Sequence, residues 1–455
     1  MRKINNPQYI GVRFLDPIGK VFIDEGSENK DFLRVVYPEA ESYVNFLLRL
    51  SSVNKLFDLG LVARAIIDRT VEVEGFDMIL RSQKIPIKLP SERLPFAVRK
   101  QMALNWLEIN INLLKDGFGL IDAHLNNFSL SNKASPVWVD LGSVAKLKHG
   151  YEGLAEFEAY FYRPLRLMSA KPEIADSIRK ASAGDGVSVN FENSITCMPL
   201  LRWRNHSIYS VLFKLLRRMG LSKNYKLRLL VLMFFRIRLS GLSAPKQFWS
   251  DYRNGKDSSF ELKSPRLIAF TELVEKINFN TCLDIGGNDG YFTKRIIRSN
   301  CRFDLVDIDD FAVSKFVGFL EAANVDKSTS FRIWIGSFWD QIGVYDLVIA
   351  MALVHHLTLG QSFSFDTVAK KMAELSSSFC ITEFMPNGLG GNTKPQDLPN
   401  WYTLERFLSA LRKYFLFVTV IPYEGAPGSP RVLIFCAKKA GPYIADNSLA
   451  SVSAH

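Results

Sequence analysis

The chain has 455 residues, enough for two or three domains with buried cores, and its 47% hydrophobic and 23% charged residues exclude an intrinsically disordered protein. The five cysteines form neither a CxxC pair nor a Cys/His cluster, which argues against a zinc site and favours reduced thiols in a cytoplasmic protein. The amino-terminal stretch has no apolar secretory core, and the longest apolar run, Leu229 to Phe235, is far short of the roughly 20 residues that a spanning helix needs. We therefore expect a soluble protein.

Residues 1–150 predict a mixed α/β region. GKVFID is typical of a strand, whereas EAESYVNFLLRL and the stretch from Val98 to Gly117 carry apolar residues at helical spacing. PVWVD predicts a further strand that ends at Asp140.

Three polar residues in this region have the spacing of a kinase active site. Asp122 is followed five residues later by Asn127, and Asp140 comes thirteen residues after that, in an Asp-Leu-Gly sequence. Kinases place a catalytic base, a metal-binding Asn and a metal-binding Asp in this order. By this resemblance Asp122 would be the base, and Asn127 and Asp140 would hold magnesium.

Other kinase features are missing from the same region. Leu120 stands two residues before Asp122, where protein kinases have histidine, and Arg34 is the residue found where a strand lysine is sought. No Gly-rich nucleotide loop is visible. We therefore favour a degenerate kinase-like domain over residues 1–150 that scaffolds or binds an acceptor, with active phosphoryl transfer and chance similarity as the alternatives.

Residues 151–245 predict a helical, basic connector. Much of the net charge of +11 lies between Arg202 and Arg238. A basic amphipathic helix can contact an anionic surface, which we keep as a possible partner for residues 202–238. The alternative is a helical hairpin whose apolar face packs on a neighbouring domain. No RNA-binding signature lies beside it, so no specific nucleic-acid partner is expected.

Residues 255–440 alternate between apolar runs of strand length and helical stretches, which predicts a doubly wound α/β domain with a seven-stranded, mainly parallel sheet. One helix is expected over YFTKRIIRS, directly after the first strand. The last two strands are joined by EGAPGSP, which suits an antiparallel pair at the sheet edge. Residues 441–455 are expected to form a flexible tail.

A glycine-rich turn follows the first strand of this domain. It has the pattern D-x-G-x-N-x-G, from Asp284 through Asn288 to Gly290, and a second strand ends in Asp307, 23 residues after Asp284. Glycines allow a sharp turn and a close approach of ligand to backbone, and an acid at the second position can accept hydrogen bonds from ribose hydroxyls. A carboxylate before the glycines suits a cationic sulfonium ligand better than a pyrophosphate. The alternative is a structural turn that binds nothing.

This pattern resembles the first motif of class I methyltransferases, whose cofactor is S-adenosylmethionine. The resemblance implies a cofactor site without metal, formed by Asp284, Gly286, Gly287, Asn288, Gly290, Asp307, Ser337, Phe338 and Ala352.

Two histidines and a glutamate are the candidate catalytic residues. His355 and His356 follow the fourth strand, and Glu383 ends the fifth. A hydroxyl acceptor needs a base, so we expect one histidine to take its proton or to orient it. The alternative is that both histidines only shape the pocket. Glu383 is the weaker candidate because it can also serve to hold a loop.

The order of DAHLNNF, PVWVD, VHHL and EFMP along the chain is similar to that in nodulation protein NoeA-related methyltransferases. That resemblance implies O-methylation of a glycan or small-molecule acceptor. A bifunctional kinase-methyltransferase and a non-catalytic scaffold that binds S-adenosylmethionine are the alternatives.

Overall fold

The structure is a computed structural model that describes residues 2–4, 7–10, 17–27, 32–148, 152–184, 186–188, 225–247, 250, 264–390, 398–421, 423 and 431–439. Residues 189–224 of the predicted basic connector, the EGAPGSP connection and the predicted tail lie outside these residues. The chain forms two compact units. One comprises residues 1–131 and 135–245, and the other comprises residues 132–134 and 246–455.

The amino-terminal unit is mixed α/β, as the sequence predicts. Its largest sheet has five antiparallel strands in the order β2-β3-β4-β7-β5, beside a parallel pair, β1 with β6, and two antiparallel pairs, β8 with β11 and β9 with β10. The strands are β1 (Arg2–Ile4), β2 (Tyr9–Ile10), β3 (Gly19–Ile23), β4 (Phe32–Val36), β5 (Ala65–Ile67), β6 (Val71–Val73), β7 (Ile79–Ser82), β8 (Phe118–Leu120), β9 (Phe128–Leu130), β10 (Pro136–Trp138) and β11 (Val144–Lys146).

A long buried helix organises the rest of this unit. The helices are α1 (Glu41–Arg49), α2 (Ser51–Asp58), α3 (Phe96–Leu113), α4 (Leu154–Phe157), α5 (Arg163–Ala170), α6 (Ala175–Ala181) and α7 (Tyr225–Ser240). Helix α3 packs against β8, β10, α2 and α7. Its Trp106 is fully buried and stacks on Phe157 of α4, with 4.7 Å between the ring centroids. The hydrophobic core of the unit therefore lies around α3.

The carboxy-terminal unit is built on a seven-stranded mixed sheet in the order β14-β13-β12-β15-β16-β18-β17. Strands β12 to β16 run parallel to one another, and β18 is antiparallel to both β16 and β17. The strands are β12 (Thr281–Ile285), β13 (Arg302–Asp307), β14 (Ser330–Ile335), β15 (Tyr345–Ala350), β16 (Ser376–Phe384), β17 (Phe417–Ile421) and β18 (Val432–Ala437). The predicted antiparallel pair is confirmed, with β17 at the edge.

Helices alternate with most of these strands. They are α8 (Pro265–Glu275), α9 (Asp310–Ala322), α10 (Phe365–Leu375) and α11 (Leu404–Arg412). The predicted helix over YFTKRIIRS is wrong, because the structure has only a single 3-10 turn there, Thr293–Arg295. The Thr293 hydroxyl donates a hydrogen bond to Asp284 at 2.6 Å, which fixes the segment against the sheet and overrides its local helical preference.

The order of the strands determines where this unit can bind a ligand. The chain runs outward from β12 through β13 to β14 and then returns to the other side of β12 with β15. At such a reversal the connections diverge and leave a crevice outside the carboxyl ends of the strands.

Two further observations bear on the sequence predictions. The four described cysteines, Cys282, Cys301, Cys380 and Cys436, are buried and unpaired, while Cys197 lies outside the described residues. Within the described ranges, no helix combines the length and the apolar character needed to cross a bilayer.

Candidate active site

A cavity of about 360 Å³ opens at the strand reversal of the carboxy-terminal unit. Its walls come from the ends of β12, β13, β14 and β15 and from the turn after β15. The lining residues are Ile285, Gly286, Asn288, Asp307, Ile308, Gly336, Ser337, Phe338, Trp339, Met351, Ala352, Leu353, His356, Leu357, Gly360 and Gln361. Most of this surface is apolar, and a few polar groups converge on it, which is the usual composition of a small-molecule site.

Unusual backbone angles occur at two non-glycine residues of the cavity wall. Asn288 has a φ of 50° and Ala352 a φ of 51°, both in the left-handed region that side chains disfavour. Gly286, between them on the wall, has a φ of 69°. Strained backbone of this kind concentrates where a binding site requires a particular backbone shape.

Asp307 is the acidic group of the cavity. One of its oxygens accepts a hydrogen bond from the Asn288 N–H at 2.8 Å, and the other accepts one from the Asp309 N–H at 2.8 Å. Burial raises the pKa of Asp307 to about 6, against the opposing effect of these two hydrogen bonds. The carboxyl group is therefore ionised at neutral pH, oriented by backbone, and able to accept further hydrogen bonds from a ligand.

The remaining residues of the glycine-rich turn do not line the cavity but stabilise the segment that does. Asp284 is 2% exposed and accepts the Thr293 hydroxyl, and it does not line the cavity. Gly287 and Gly290 are also absent from the wall. A Cβ at Gly290 would lie 2.3 Å from the ring of Phe316, so this glycine allows α9 to pack closely on the turn.

The two histidines occupy different positions. His356 lines the cavity, whereas His355 lies behind it, 4% exposed, with the two ring centroids 3.9 Å apart. Burial lowers the pKa of His356, and burial together with the neighbouring His356 and Arg431 lowers that of His355 to about 3. Both imidazoles are therefore neutral at pH 7, but only His356 can meet a bound substrate directly.

Glu383 is enclosed in ion pairs at the end of β16. It is fully buried, and its two oxygens lie 2.9 Å from Arg266 of α8 and 3.1 Å from Arg431. It does not line the cavity. The predicted catalytic role thus has no geometric support, and the contacts favour the alternative of a residue that holds neighbouring segments together.

Of the residues predicted to bind a cofactor, six line one cavity: Gly286, Asn288, Asp307, Ser337, Phe338 and Ala352. Sequence reasoning missed Ile308, Trp339 and Gln361, which also line it. Ile308 directly follows Asp307 and is 51% exposed. A large apolar residue immediately after an acidic strand end was the signal that could have identified it.

A second, wider cavity of about 840 Å³ adjoins the turn His356–Gly360. Successive residues of this turn line different cavities, since Leu357 faces the first and Thr358 the second. The second cavity offers aromatic rings, hydroxyls and cations, namely Phe363, Trp401, Ser362, Ser364, Ser409, Arg406 and Lys413.

Neither a protein-family model nor a curated protein sequence matches the chain. Among solved structures it is similar to the magnesium protoporphyrin IX methyltransferase ChlM from Synechocystis PCC 6803 with bound SAH, at 13% identity over 41% of this chain and 91% of ChlM, with a TM-score of 0.30. It is also similar to the bifunctional kinase-methyltransferase WbdD, at 15% identity over 42% of this chain and 41% of WbdD, with a TM-score of 0.31. It is similar as well to the mitomycin 7-O-methyltransferase MmcR, at 13% identity over 45% of this chain and 63% of MmcR, with a TM-score of 0.27. At such low TM-scores these similarities do not identify a ligand or a reaction for this chain.

The three polar residues of the amino-terminal unit lie at the ends of its short strands. Asp122 follows β8, Asn127 ends the 3-10 turn Leu125–Asn127, and Asp140 follows β10. Arg34 of β4 approaches Asp140, with 3.7 Å between a guanidinium nitrogen and a carboxylate oxygen. The Oδ1 atom of Asp122 and the Nδ2 atom of Asn127 are buried and have no hydrogen-bond partner.

A lysine lies beside this group. Lys88 donates hydrogen bonds to the carbonyl oxygens of Asn126 and, at 2.7 Å, Phe128, on both sides of Asn127. Burial lowers the pKa of Lys88 to about 8. The loop around Asn127 is therefore held by the Lys88 side chain.

Proposed function

We propose that the carboxy-terminal unit binds S-adenosylmethionine and transfers its methyl group to a hydroxyl oxygen of a glycan or small-molecule acceptor. The observation that carries this proposal is Asp307, a backbone-oriented carboxylate on the wall of a mainly apolar cavity at the strand reversal. A carboxylate at the end of the second strand can accept hydrogen bonds from ribose hydroxyls. Ile308 and Phe338 supply apolar surface suited to an adenine ring.

The turn after β12 supports a sulfonium ligand over a dinucleotide. Pyrophosphate binding uses the amino terminus of a helix directly after the glycine turn, where N–H groups and the helix dipole favour negative charge. Only one 3-10 turn follows Gly290. The acidic residues Asp284 and Asp307 add negative charge, which repels a pyrophosphate and favours a cation.

His356 is the residue of this chain that suits the acceptor's proton. When bound, S-adenosylmethionine supplies a methyl group on a positively charged sulfur, which an acceptor oxygen displaces in line. In that transfer the acceptor hydroxyl would lose its proton, and a ring nitrogen of His356 would take it. The neutral imidazole that burial produces is the form able to accept it.

The second cavity supports a sugar-like acceptor. Its aromatic rings, Phe363 and Trp401, offer flat apolar surfaces, and its serine hydroxyls offer hydrogen-bond partners. The rings of Trp339 in the first cavity and Phe363 in the second are 4.1 Å apart between centroids, so the two cavities are neighbours.

Calorimetric titration of the full chain with S-adenosylmethionine tests the proposal. We expect binding that Asp307→Asn weakens about 10- to 100-fold, because the charged hydrogen-bond acceptor is lost. Asp346→Asn is the matched control, since Asp346 accepts the Asn280 and Thr281 N–H groups at the opposite end of the sheet. No binding to the wild-type protein, or equal losses in the two variants, would refute the proposal. Binding without methyl transfer to any glycan acceptor would instead favour the non-catalytic scaffold.

A second candidate, a bifunctional enzyme that also phosphorylates, is favoured by one group of observations. Five antiparallel strands precede Asp122, with α1 and α2 between the third and fourth of them in sequence. Arg34 of β4 lies beside Asp140, where a kinase lysine would meet the phosphates. The Asp122 Oδ1 and Asn127 Nδ2 atoms, which make no hydrogen bond, are suited to a substrate hydroxyl and a metal-bound phosphate.

Titration with ATP and magnesium tests this second candidate. We expect binding that Asp140→Asn abolishes while S-adenosylmethionine binding stays unchanged. Absence of any ATP binding would remove the kinase function and leave a degenerate domain.

A further inference from the structure

Helix α7 carries apolar side chains on the side that faces away from the core. Leu230 is 66% and Ile237 is 69% exposed, and Met233 and Phe234 between them are each about two-fifths exposed. We call these four residues the outer stripe. Their spacing of three, four and seven residues places them on one face of the helix. The opposite face of the helix already packs on α3, so the outer stripe is a second apolar face.

The net charge of the chain is concentrated in the part of the sequence that contains this helix. Residues 193–250 contain no Asp or Glu and carry eleven basic residues: Arg202, Arg204, Lys214, Arg217, Arg218, Lys223, Lys226, Arg228, Arg236, Arg238 and Lys246. Outside this segment, the positive charge of the other 46 Lys and Arg residues balances the negative charge of the 46 Asp and Glu residues. The whole net charge of +11 therefore belongs to this one segment.

We propose that the outer stripe of α7 binds the surface of an anionic lipid bilayer, to which the net positive charge of this part of the sequence attracts the chain. Interfacial helices combine an apolar face, which enters the headgroup region, with cations that attract anionic lipid. With 16 residues, α7 is about 24 Å long, which suits a helix lying flat in the interface.

A lipid surface explains the exposed stripe and the positive charge better than nucleic acid or a second copy of the chain does. Nucleic acid would satisfy the cations, but it gives no reason for exposed Leu230 and Ile237, since aliphatic side chains do not stack on bases. A second copy of the chain would bury the apolar stripe but bring two segments of the same charge together, which opposes association.

Sedimentation with lipid vesicles tests the proposal on the full chain. We expect binding to vesicles of phosphatidylcholine with 30% phosphatidylserine, with little binding to pure phosphatidylcholine and a decrease at high salt. The double variant Leu230→Ser/Ile237→Ser should reduce the vesicle-bound fraction about tenfold or more, because its apolar anchors are lost.

The matched control is Ile342→Ser/Leu416→Ser. These two residues are 82% and 68% exposed, in the carboxy-terminal unit outside the basic segment. The control should bind vesicles as the wild type does. Equal thermal unfolding of both double variants, together with unchanged S-adenosylmethionine binding, verifies that neither is misfolded.

Three outcomes would overturn the proposal. The first is no binding to phosphatidylserine vesicles. The second is vesicle binding that the Leu230→Ser/Ile237→Ser variant retains in full, which would indicate attraction by charge alone. The third is a wild-type dimer that this variant converts to monomer, which would assign the outer stripe to self-association. None of these results depends on whether the protein transfers methyl groups.

Discussion

Burial acts on the charge of Asp307 and His356 in opposite directions. Removal from water disfavours the charged form of each, so the pKa of the carboxyl rises to about 6 and that of the imidazole falls. At neutral pH the cavity therefore has one negative acceptor and one neutral base. That combination suits a cationic ligand and an acceptor that must lose a proton.

The raised pKa of Asp307 predicts the pH dependence of S-adenosylmethionine binding. The ionised form is the one that accepts the ribose hydroxyls, so affinity should be constant above pH 7 and fall about tenfold by pH 5, one unit below a pKa of about 6. His355, with a pKa of about 3, stays neutral over this range, and burial lowers the pKa of His356 as well. Calorimetry between pH 5 and 8 measures the effect, and Asp307→Asn should remove it.

The contribution of Asp307 to the stability of the ligand-free protein should increase as the pH falls, whereas the affinity for S-adenosylmethionine should decrease. Because the folded pKa of Asp307 exceeds the ordinary 3.8, its stabilising contribution is complete below about pH 4 and is lost as pH rises through 6. A profile of S-adenosylmethionine affinity that stays flat down to pH 5 would contradict the assignment of Asp307.

The two histidines should separate into a catalytic and a structural residue. We expect His356→Ala to lower kcat about 100-fold with a glycan or small-molecule acceptor, because the proton acceptor is lost. His355→Ala should leave kcat nearly unchanged and lower the temperature of unfolding, since it removes a buried ring. Equal kcat values for both variants and the wild type would exclude histidine as the base.

At this scale the sequence could predict residues that belong to a motif, such as Asp307 and Asn288. It could not predict Trp339 and Gln361, whose indole N–H and side-chain oxygen lie 3.3 Å apart on the cavity wall. Nothing in the local sequence marks either residue, because their meeting depends on how the turn after β15 packs.

Among the elements, the turn after β12 requires a glycine at position 290. Gly290 has a φ of 74°, and any Cβ there would collide with the Phe316 ring. Gly318, in α9, has no atom within 4 Å of the position where a Cβ would be added.

These two glycines provide a matched pair of substitutions. Gly290→Ala should destabilise the protein by about 2 kcal/mol or more, through overpacking and backbone strain. Gly318→Ala should stabilise it by about 0.5–1 kcal/mol, because alanine is the better helix former. Denaturant unfolding measures both. Similar effects of the two substitutions would contradict the close packing of α9 on the turn.

The ion pairs of Glu383 connect α8 to the strand β16. Glu383→Gln should lower the free energy of unfolding by about 3 kcal/mol, because two arginines lose their buried partner. Glu272→Gln, at an exposed position on α8, should change it by less than about 0.5 kcal/mol. A loss of kcat without a loss of stability in Glu383→Gln would restore the catalytic role that the sequence suggested.

Helices and strands with a clear periodic pattern of apolar residues could be predicted from the sequence. The conformation of the short segment after Gly290 could not. The strands β12 to β18 follow from apolar runs and α10 from its helical spacing. The segment after Gly290 also carries apolar residues at helical intervals, but its Thr293 hydroxyl bonds Asp284, and a tertiary contact overrides the local preference.

At the scale of the whole molecule, the sequence predicted a mixed α/β region over residues 1–150 and a second α/β region over residues 255–440. The second compact unit begins at residue 246, near the predicted start at 255. The five-stranded sheet of the amino-terminal unit could not be predicted, because its strands β2 and β5 have only two and three residues and carry almost no periodic signal. The concentration of the net charge in residues 193–250 is a property of sequence alone, whereas the exposed stripe on α7 required the structure.

The location of the bound cofactor is the central claim, and amide hydrogen exchange of the full chain with and without S-adenosylmethionine tests it directly. The cofactor should slow exchange at residues 286–290 and 307–309, the two stretches that carry Gly286, Asn288 and Asp307 of the cavity wall, and leave residues 122–127 of the amino-terminal unit unchanged. Protection that is absent at residues 286–290 and 307–309, or that appears only in the amino-terminal unit, would contradict the account.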